Sequence, residues 1–227
     1  SSAASDVYKR QIYYPNKIKQ IIGRLNVQSL SEEEEKESVE TISELIEYYK
    51  GIFTILSSCA SRQLEEVTFR RTTIPVADIM AYAGKYFKKA GKGGANKITM
   101  AIEPLEAKVI GDINQLRFLM ENLIDEALSF HQDGELILKA VADGEYIRFL
   151  FTDRRREKHV EELNLLFYPN LARMTSGEKG ELRGTEYLIC KQIIRDHDEF
   201  AGRRGCRINA EPAQGGGFTV YFTVPKR

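Results

Sequence analysis

The chain has 227 residues, with 33 basic side chains (Lys and Arg) balanced by 33 acidic ones (Asp and Glu). This length suffices for one large domain or two small ones with an apolar core, and the charge balance provides no overall basic field that would attract nucleic acid. No apolar run approaches the roughly 20 residues of a membrane-spanning helix, so the chain as given is expected to be soluble and cytoplasmic.

The first eleven residues, SSAASDVYKRQ, show no apolar periodicity. They resemble the translated linker sequence that often opens metagenomic reading frames, so residues 1–11 are excluded from functional interpretation. We expect the natural protein to continue upstream of them.

Residues 12–66 are predicted to form a helical hairpin. The second helix is expected to begin at Ser31, because Glu34 three residues later completes a capping box. Its apolar stripe, which runs from Val39 to Cys59, is too wide for two helices alone. The hairpin is therefore expected to form a four-helix bundle with a second copy, although it could instead pack on its own domain as an N-terminal extension.

Residues 67–227 alternate between strand and helix patterns. The predicted strands are 67–75, 98–102, 108–110, 135–142, 146–151, 207–211 and 218–224, and the predicted helices are 76–89, 114–130, 160–167 and 185–200. A two-residue turn is expected at Asp143 and Gly144. Antiparallel hairpins mixed with helices predict an α+β fold, a two-layer α/β sandwich preceded by the helical hairpin.

Five sequence landmarks follow one another in this region. They are VIGD with a following NL pair in a helix, a hairpin that ends in Asp, an LF-x-P segment, a G-T-x-x-L helix and a terminal GGGFTVYFTVP. In this order they resemble the Bergerat-type ATP-binding domain of sensor histidine kinases, and most closely a divergent kinase core of Bacteroidota sensor proteins. The resemblance covers residues 12–227 and includes the dimerisation and phosphotransfer hairpin.

The resemblance implies a metal and nucleotide site on the helix that carries Asn122 and Glu126. Positions four apart on a helix face the same way, so both side chains can reach a phosphate-bound Mg²⁺. The family normally has Asn at the second position, and a carboxylate there is still a ligand for a hard cation. The alternative is that the two residues form a solvated polar edge of a core helix.

Asp153 matches the acidic residue that accepts the adenine amino group in the family. The family continues with D-x-G-x-G, whereas this chain has three arginines at 154–156. These arginines could clamp phosphates in place of the glycines, or they could form a solvated basic loop.

The second glycine motif of the family, G-x-G-L-G, is reduced here to Gly184 followed by Thr185. The start of the helix after Gly184 can still offer free N–H groups to a triphosphate. The preceding segment resembles a short nucleotide lid, in which Arg173 and Lys179 are candidate phosphate contacts. As isolated basic residues on a loop, they are equally consistent with a surface role.

By resemblance, the chain is expected to be the cytoplasmic core of a two-component sensor histidine kinase. It would bind ATP and Mg²⁺, form a homodimer through the hairpin, and pass a phosphoryl group to a histidine and on to a response regulator receiver domain. None of its three histidines lies where the family has the phosphoacceptor, so this residue is expected in the missing upstream region, as is any membrane anchor. The alternative is a non-catalytic dimeric signalling adaptor with a degenerate nucleotide site. A metabolic ATPase is less consistent with the hairpin.

Overall fold

The computed structural model describes residues 31–43, 69–91, 94–130, 132–168 and 185–227. Residues 32–43 form helix α1, which belongs to one compact unit, and the remaining elements belong to a second. The predicted capping box is confirmed, because the Ser31 hydroxyl accepts the N–H of Glu34 at 3.3 Å and the Glu34 carboxylate accepts the N–H of Ser31 at 3.0 Å. The rest of the predicted hairpin lies outside the described residues. Within them, no helix combines the length and the apolar character needed to cross a membrane.

The second unit contains seven described strands and four described helices. The strands are β1 (Thr72–Pro75), β2 (Lys97–Glu103), β3 (Lys108–Gly111), β4 (Glu135–Asp143), β5 (Tyr146–Asp153), β6 (Ile208–Pro212) and β7 (Phe218–Pro225). The helices are α2 (Val76–Ala90), α3 (Ile113–Leu128), α4 (Val160–Leu165) and α5 (Thr185–Phe200). Every element predicted for 67–227 is present among the described residues, with ends that differ by a few residues. Residues 67 and 68 of the first predicted strand lie outside the described residues.

A five-stranded sheet in the order β2-β4-β5-β7-β6 forms one layer of this unit. Strand β2 runs parallel to β4, and the other neighbours are antiparallel. Strands β1 and β3 form a separate antiparallel pair. Helix α3 packs between α2 and α5, and helices and sheet share one apolar core. The predicted two-layer α+β sandwich is confirmed.

Helix α3 is the central helix of the core, because its apolar stripe is fully buried. The stripe comprises Leu116, Leu119, Met120, Leu123, Ile124 and Ala127, each at most 1 % exposed. Asp112 caps the helix, accepting the N–H groups of Asn114 and Gln115 at 2.9 and 3.1 Å. Its other carboxylate oxygen accepts the N–H of Arg70 at 2.8 Å. The start of α3 is thereby joined to the segment that leads into the domain.

The β4–β5 hairpin turns one residue later than predicted. Asp143 still pairs with Tyr146, so Gly144 and Glu145 form the turn, and Gly144 adopts a φ of +58°. Strand β5 continues to Asp153, which lies opposite Phe218 of the neighbouring strand β7. The sheet therefore holds Asp153 at the end of a central strand.

His197, near the C-terminal end of α5, lies in the core of the domain. Its side chain is completely buried in α5, and the ring leaves no room for a side chain at Gly111. Its Nδ1–H donates to the carbonyl of Ile193 at 2.8 Å, and Nε2 accepts the N–H of Asp112 at 3.2 Å. The ring is therefore neutral. The helical pattern of α5 alone could not show that β3 packs against its last turn.

Protonation of His197 is expected to destabilise the fold. Burial lowers the pKa of His197, against the opposing influence of the Ile193 carbonyl and Asp112. Because the folded pKa lies below the ordinary value of about 6.5, the unfolded chain takes up the proton first as the pH falls. The free energy of unfolding should be unaffected by this group above about pH 6.5 and fall by up to about 1.4 kcal/mol per pH unit below it.

Chemical denaturation between pH 7.5 and 5 measures this slope. The H197Q variant keeps an acceptor but has no titrating ring, so its slope should be smaller than that of the wild type. Equal slopes in the two proteins would show that His197 does not contribute.

Candidate functional site

Asn122 and Glu126 lie one turn apart on α3, as predicted, and each is 7 % exposed. The Asn122 amide donates to the carbonyl of Phe118 in its own helix at 2.7 Å. The Glu126 carboxylate faces away from its helix and accepts three hydrogen bonds from two other segments. The two residues therefore share a helix face but have separate partners.

Arg156 supplies two of the hydrogen bonds to Glu126. Its terminal nitrogens donate to Oε1 and Oε2 at 3.0 and 2.9 Å, a bidentate ion pair in which both side chains are less than 10 % exposed. The third bond comes from the hydroxyl of Tyr187 in α5, which donates to Oε2 at 2.5 Å. Glu126 thus joins α3 to α5 and to the segment that follows β5.

Asp153 is 1 % exposed and its carboxylate is also occupied by arginine. Arg155 donates to Oδ1 through its backbone N–H and through Nε, both at 2.9 Å, and to Oδ2 through a terminal nitrogen at 2.9 Å. Nε of Arg156 donates to Oδ2 at 2.7 Å. Arg156 therefore bridges Asp153 and Glu126, which are 27 positions apart in the sequence.

Arg155 also closes the C-terminal end of α3. Its terminal nitrogens donate to the carbonyls of Ala127 and Gln132 at 2.6 and 3.0 Å and to the side-chain oxygen of Asn96 at 3.1 Å. The last carbonyls of a helix have no partner within the helix, so a guanidinium at this position satisfies one of them. The side chain of Arg155 is buried as a result.

Arg154 points to the other side of the segment and holds the glycine-rich turn before β7. It donates to the carbonyls of Gln214 and Gly216 at 2.6 and 2.8 Å. Glu157 accepts the N–H of Gly217 at 2.9 Å. The side chains of Arg155 and Arg156 are therefore buried within the protein, whereas Arg154 is exposed to solvent and bound to the neighbouring turn.

The two carboxylates and two guanidinium groups balance in charge. Burial raises the pKa of Asp153, but hydrogen bonds and charges from Arg155 and Arg156 outweigh it, and the net pKa is lowered. Burial opposes the charge on Arg156, yet Glu126 raises its pKa above the ordinary value. Burial and Glu126 raise the pKa of Tyr187 well above its usual range, so its hydroxyl stays a donor. Both shifts, at Asp153 and at Arg156, favour the charged form of the group.

The predicted site residues are distributed as follows. The structure connects Asp153 and Glu126 through Arg156, and it does not connect Asn122 to either. Arg173, Lys179 and Gly184 lie outside the described residues. Thr185 begins α5, and only its backbone is described. Tyr187, Arg155 and Arg156 were not predicted as partners of the carboxylates, because the burial of Asp153 and Glu126 is visible only in the folded chain.

ATP and Mg²⁺ are the groups that the resemblance implies for this site. All four carboxylate oxygens of Asp153 and Glu126 accept hydrogen bonds from the chain itself, and the Asn122 amide is bound to its own helix. Among the described residues, no group of three or more His, Cys, Asp or Glu side chains is arranged to hold a metal ion. The side chains that would recognise a magnesium nucleotide do not fit this ligand in the observed arrangement, because they are hydrogen-bonded to other groups of the chain.

Sequence comparison identifies the domain. The sequence model of the histidine kinase-, DNA gyrase B- and HSP90-like ATPases matches residues 111–227, more than half of the chain. The chain belongs to this family. Its members share the ATPase fold of helices packed on a mixed sheet, as observed. No curated protein matches the sequence significantly.

Solved structures of sensor histidine kinases have the same fold. The catalytic domain of histidine kinase ThkA superposes with a TM-score of 0.57 at 17 % identity, covering 69 % of this chain and 96 % of that domain. AdeS of Acinetobacter baumannii gives 0.54 at 13 % identity over 96 % of this chain and 97 % of that one. ThkA in complex with the response regulator TrrA gives 0.57 at 16 % identity over 100 % and 62 %. At these identities the similarity establishes the fold.

Proposed function

We propose that this histidine kinase-like domain acts without nucleotide, as the non-catalytic core of a dimeric two-component signalling adaptor. The observation that carries the proposal is the arginine bridge between Asp153 and Glu126. A nucleotide would have to displace three guanidinium hydrogen bonds at Asp153 and two at Glu126 before it could bind. Removing one partner from such a buried pair is strongly unfavourable, so the closed network competes with any ligand.

The adaptor would transmit conformational changes through its domains. We propose three segments: a non-native start at 1–11, a dimerisation hairpin at 12–66 and the ATPase-like domain at 67–227. The hairpin would form the homodimer, and the adaptor would bind a response regulator receiver domain. ThkA, which has the same fold, is known in complex with a response regulator. The adaptor would be the cytoplasmic part of a membrane-anchored sensor.

Titration calorimetry with magnesium and ATP tests the proposal. We expect no saturable binding by the wild-type protein up to about 1 mM ATP, the weak end of ordinary substrate affinities. The D153N variant is the control, because it keeps the shape of Asp153 and alters only its charge and one acceptor. Saturable wild-type binding that D153N abolishes would refute the adaptor proposal. Saturable binding of equal strength in both proteins would also refute it, and would place the nucleotide away from Asp153.

The second candidate is an ATP-dependent protein-histidine kinase. Family membership favours it, and so does the buried acid at the end of β5, the place where the resemblance puts the adenine acceptor. In this candidate Asn122 and Glu126 would hold Mg²⁺, and Gly184, Thr185, Lys179 and Arg173 would contact the nucleotide. The phosphoryl group would pass to a histidine outside this sequence and on to the response regulator. It requires both Arg155 and Arg156 to leave the carboxylates, and the same titration decides between the two candidates.

A further inference from the structure

The guanidinium of Arg156 is surrounded by two carboxylates and two aromatic rings, which together are called the chamber below. Its edges face Asp153 and Glu126, and all three guanidinium nitrogens donate to carboxylate oxygens at 2.7 to 3.0 Å. The ring of Phe130 lies 4.0 Å from the guanidinium carbon and that of Phe218 lies 5.3 Å from it. The residue is 8 % exposed. This combination of a carboxylate fork and an aromatic face is what a planar cation requires.

We propose that this chamber is a binding site for a guanidinium cation, and that Arg156 is its resident ligand supplied by the chain itself. The proposal deepens the proposed function and rests on it, because it states what fills the site in place of nucleotide. The chamber is built independently of Arg156: Glu126 is positioned by α3 and Tyr187, and Asp153 by β5 and Arg155. An emptied site should therefore keep its shape.

The net charge of the chamber without Arg156 favours a monovalent cation. Without Arg156, the carboxylates of Asp153 and Glu126 contribute two negative charges and Arg155 contributes one positive charge. The remaining net charge of −1 suits a monovalent cation better than Mg²⁺. An ammonium ion donates three hydrogen bonds from a single nitrogen. In the chamber, each of the three guanidinium nitrogens has its own acceptor, two at Glu126 and one at Asp153. A guanidinium matches both the charge and the geometry.

Chemical rescue of the R156A variant tests the proposal. Ethylguanidinium replaces the atoms that this substitution removes. We expect it to raise the melting temperature of R156A by roughly 5 °C or more, with saturation, and to leave the wild type unchanged. Ethylammonium and sodium chloride at matched ionic strength should not do so. The R148A variant, which empties the exposed Arg148–Asp143 pair, is the matched control and should show no rescue.

Each result decides the question. Saturable rescue specific to ethylguanidinium and to R156A supports the proposal. Equal effects of ethylammonium, equal effects on R148A, or no effect at all would overturn it. Should R156A not fold alone, it is refolded with and without ethylguanidinium, and recovery only with the cation supports the site, whereas no recovery overturns it. ATP binding by the wild type tests the proposed function separately, so failure of either idea can be recognised without the other.

Discussion

Replacing Arg156 by Ala should lower the free energy of unfolding by about 3–5 kcal/mol, the usual cost of removing one partner from a buried ion pair. Arg156 donates to both Asp153 and Glu126, and its loss leaves three carboxylate oxygens with one partner fewer. Arg155 compensates Asp153 in part, but nothing among the described residues replaces the cation at Glu126. Urea denaturation followed by circular dichroism measures the change.

Two further variants distinguish the loss of a buried ion pair from a nonspecific loss of stability. R148A removes an arginine whose side chain is 33 % exposed, so solvent screening should limit its effect to about 1 kcal/mol or less. The double variant E126L/R156L removes the Arg156 guanidinium and the Glu126 carboxylate together. It should be more stable than R156A, because no unpaired carboxylate remains at position 126. If R156A were as stable as R148A, or less damaging than the double variant, the network would not hold the domain together.

Replacing Gly217 by Ala should destabilise the domain by about 3 kcal/mol or more, through a positive φ and a steric clash. Gly217 has a φ of +80°, and a Cβ placed there would meet the carbonyl oxygen of Asp153 well inside van der Waals contact. The residue immediately precedes β7, opposite the end of β5, and the atoms that its Cβ would meet are all backbone, so relieving the clash requires a backbone shift. We expect a lower denaturation midpoint and weaker protection of the β5 and β7 amides from hydrogen exchange.

Gly144 provides the matched control for this substitution. It also has a positive φ, +58°, but no atom lies within 4 Å of the place its Cβ would occupy. G144A should therefore show only the conformational cost, about 1–2 kcal/mol. Equal losses in G217A and G144A would mean that the contact with Asp153 has no energetic weight.

The fold of the described part was predictable from local patterns. The apolar stripe of α3 gave the core helix, alternation gave the strands of the sheet, and Ser31 with Glu34 gave the start of α1. Each of these patterns involves residues that are close together in the chain, so it can be recognised in a single sequence. The errors are at element ends, such as the β4–β5 turn, where tertiary hydrogen bonds extend a strand by one or two residues.

The state of the site was not predictable in the same way. Three consecutive arginines are usually solvent-exposed, and only the folded chain shows that Arg156 lies against Glu126 of α3. The partners of Tyr187 and His197 are likewise remote in sequence, 61 and 85 positions away. Helical periodicity can place a residue on a buried face, but it cannot name the group that it will meet there.

Arg156 is held in its chamber by the peptide backbone, and this has a consequence for what the domain can sense. A tethered group has a fixed effective concentration, which is set by chain geometry and does not depend on the concentrations of metabolites in the cell. A soluble metabolite rises and falls, and a protein that depends on it reports the energy state of the cell. Under the proposed function this domain would be insulated from that variation.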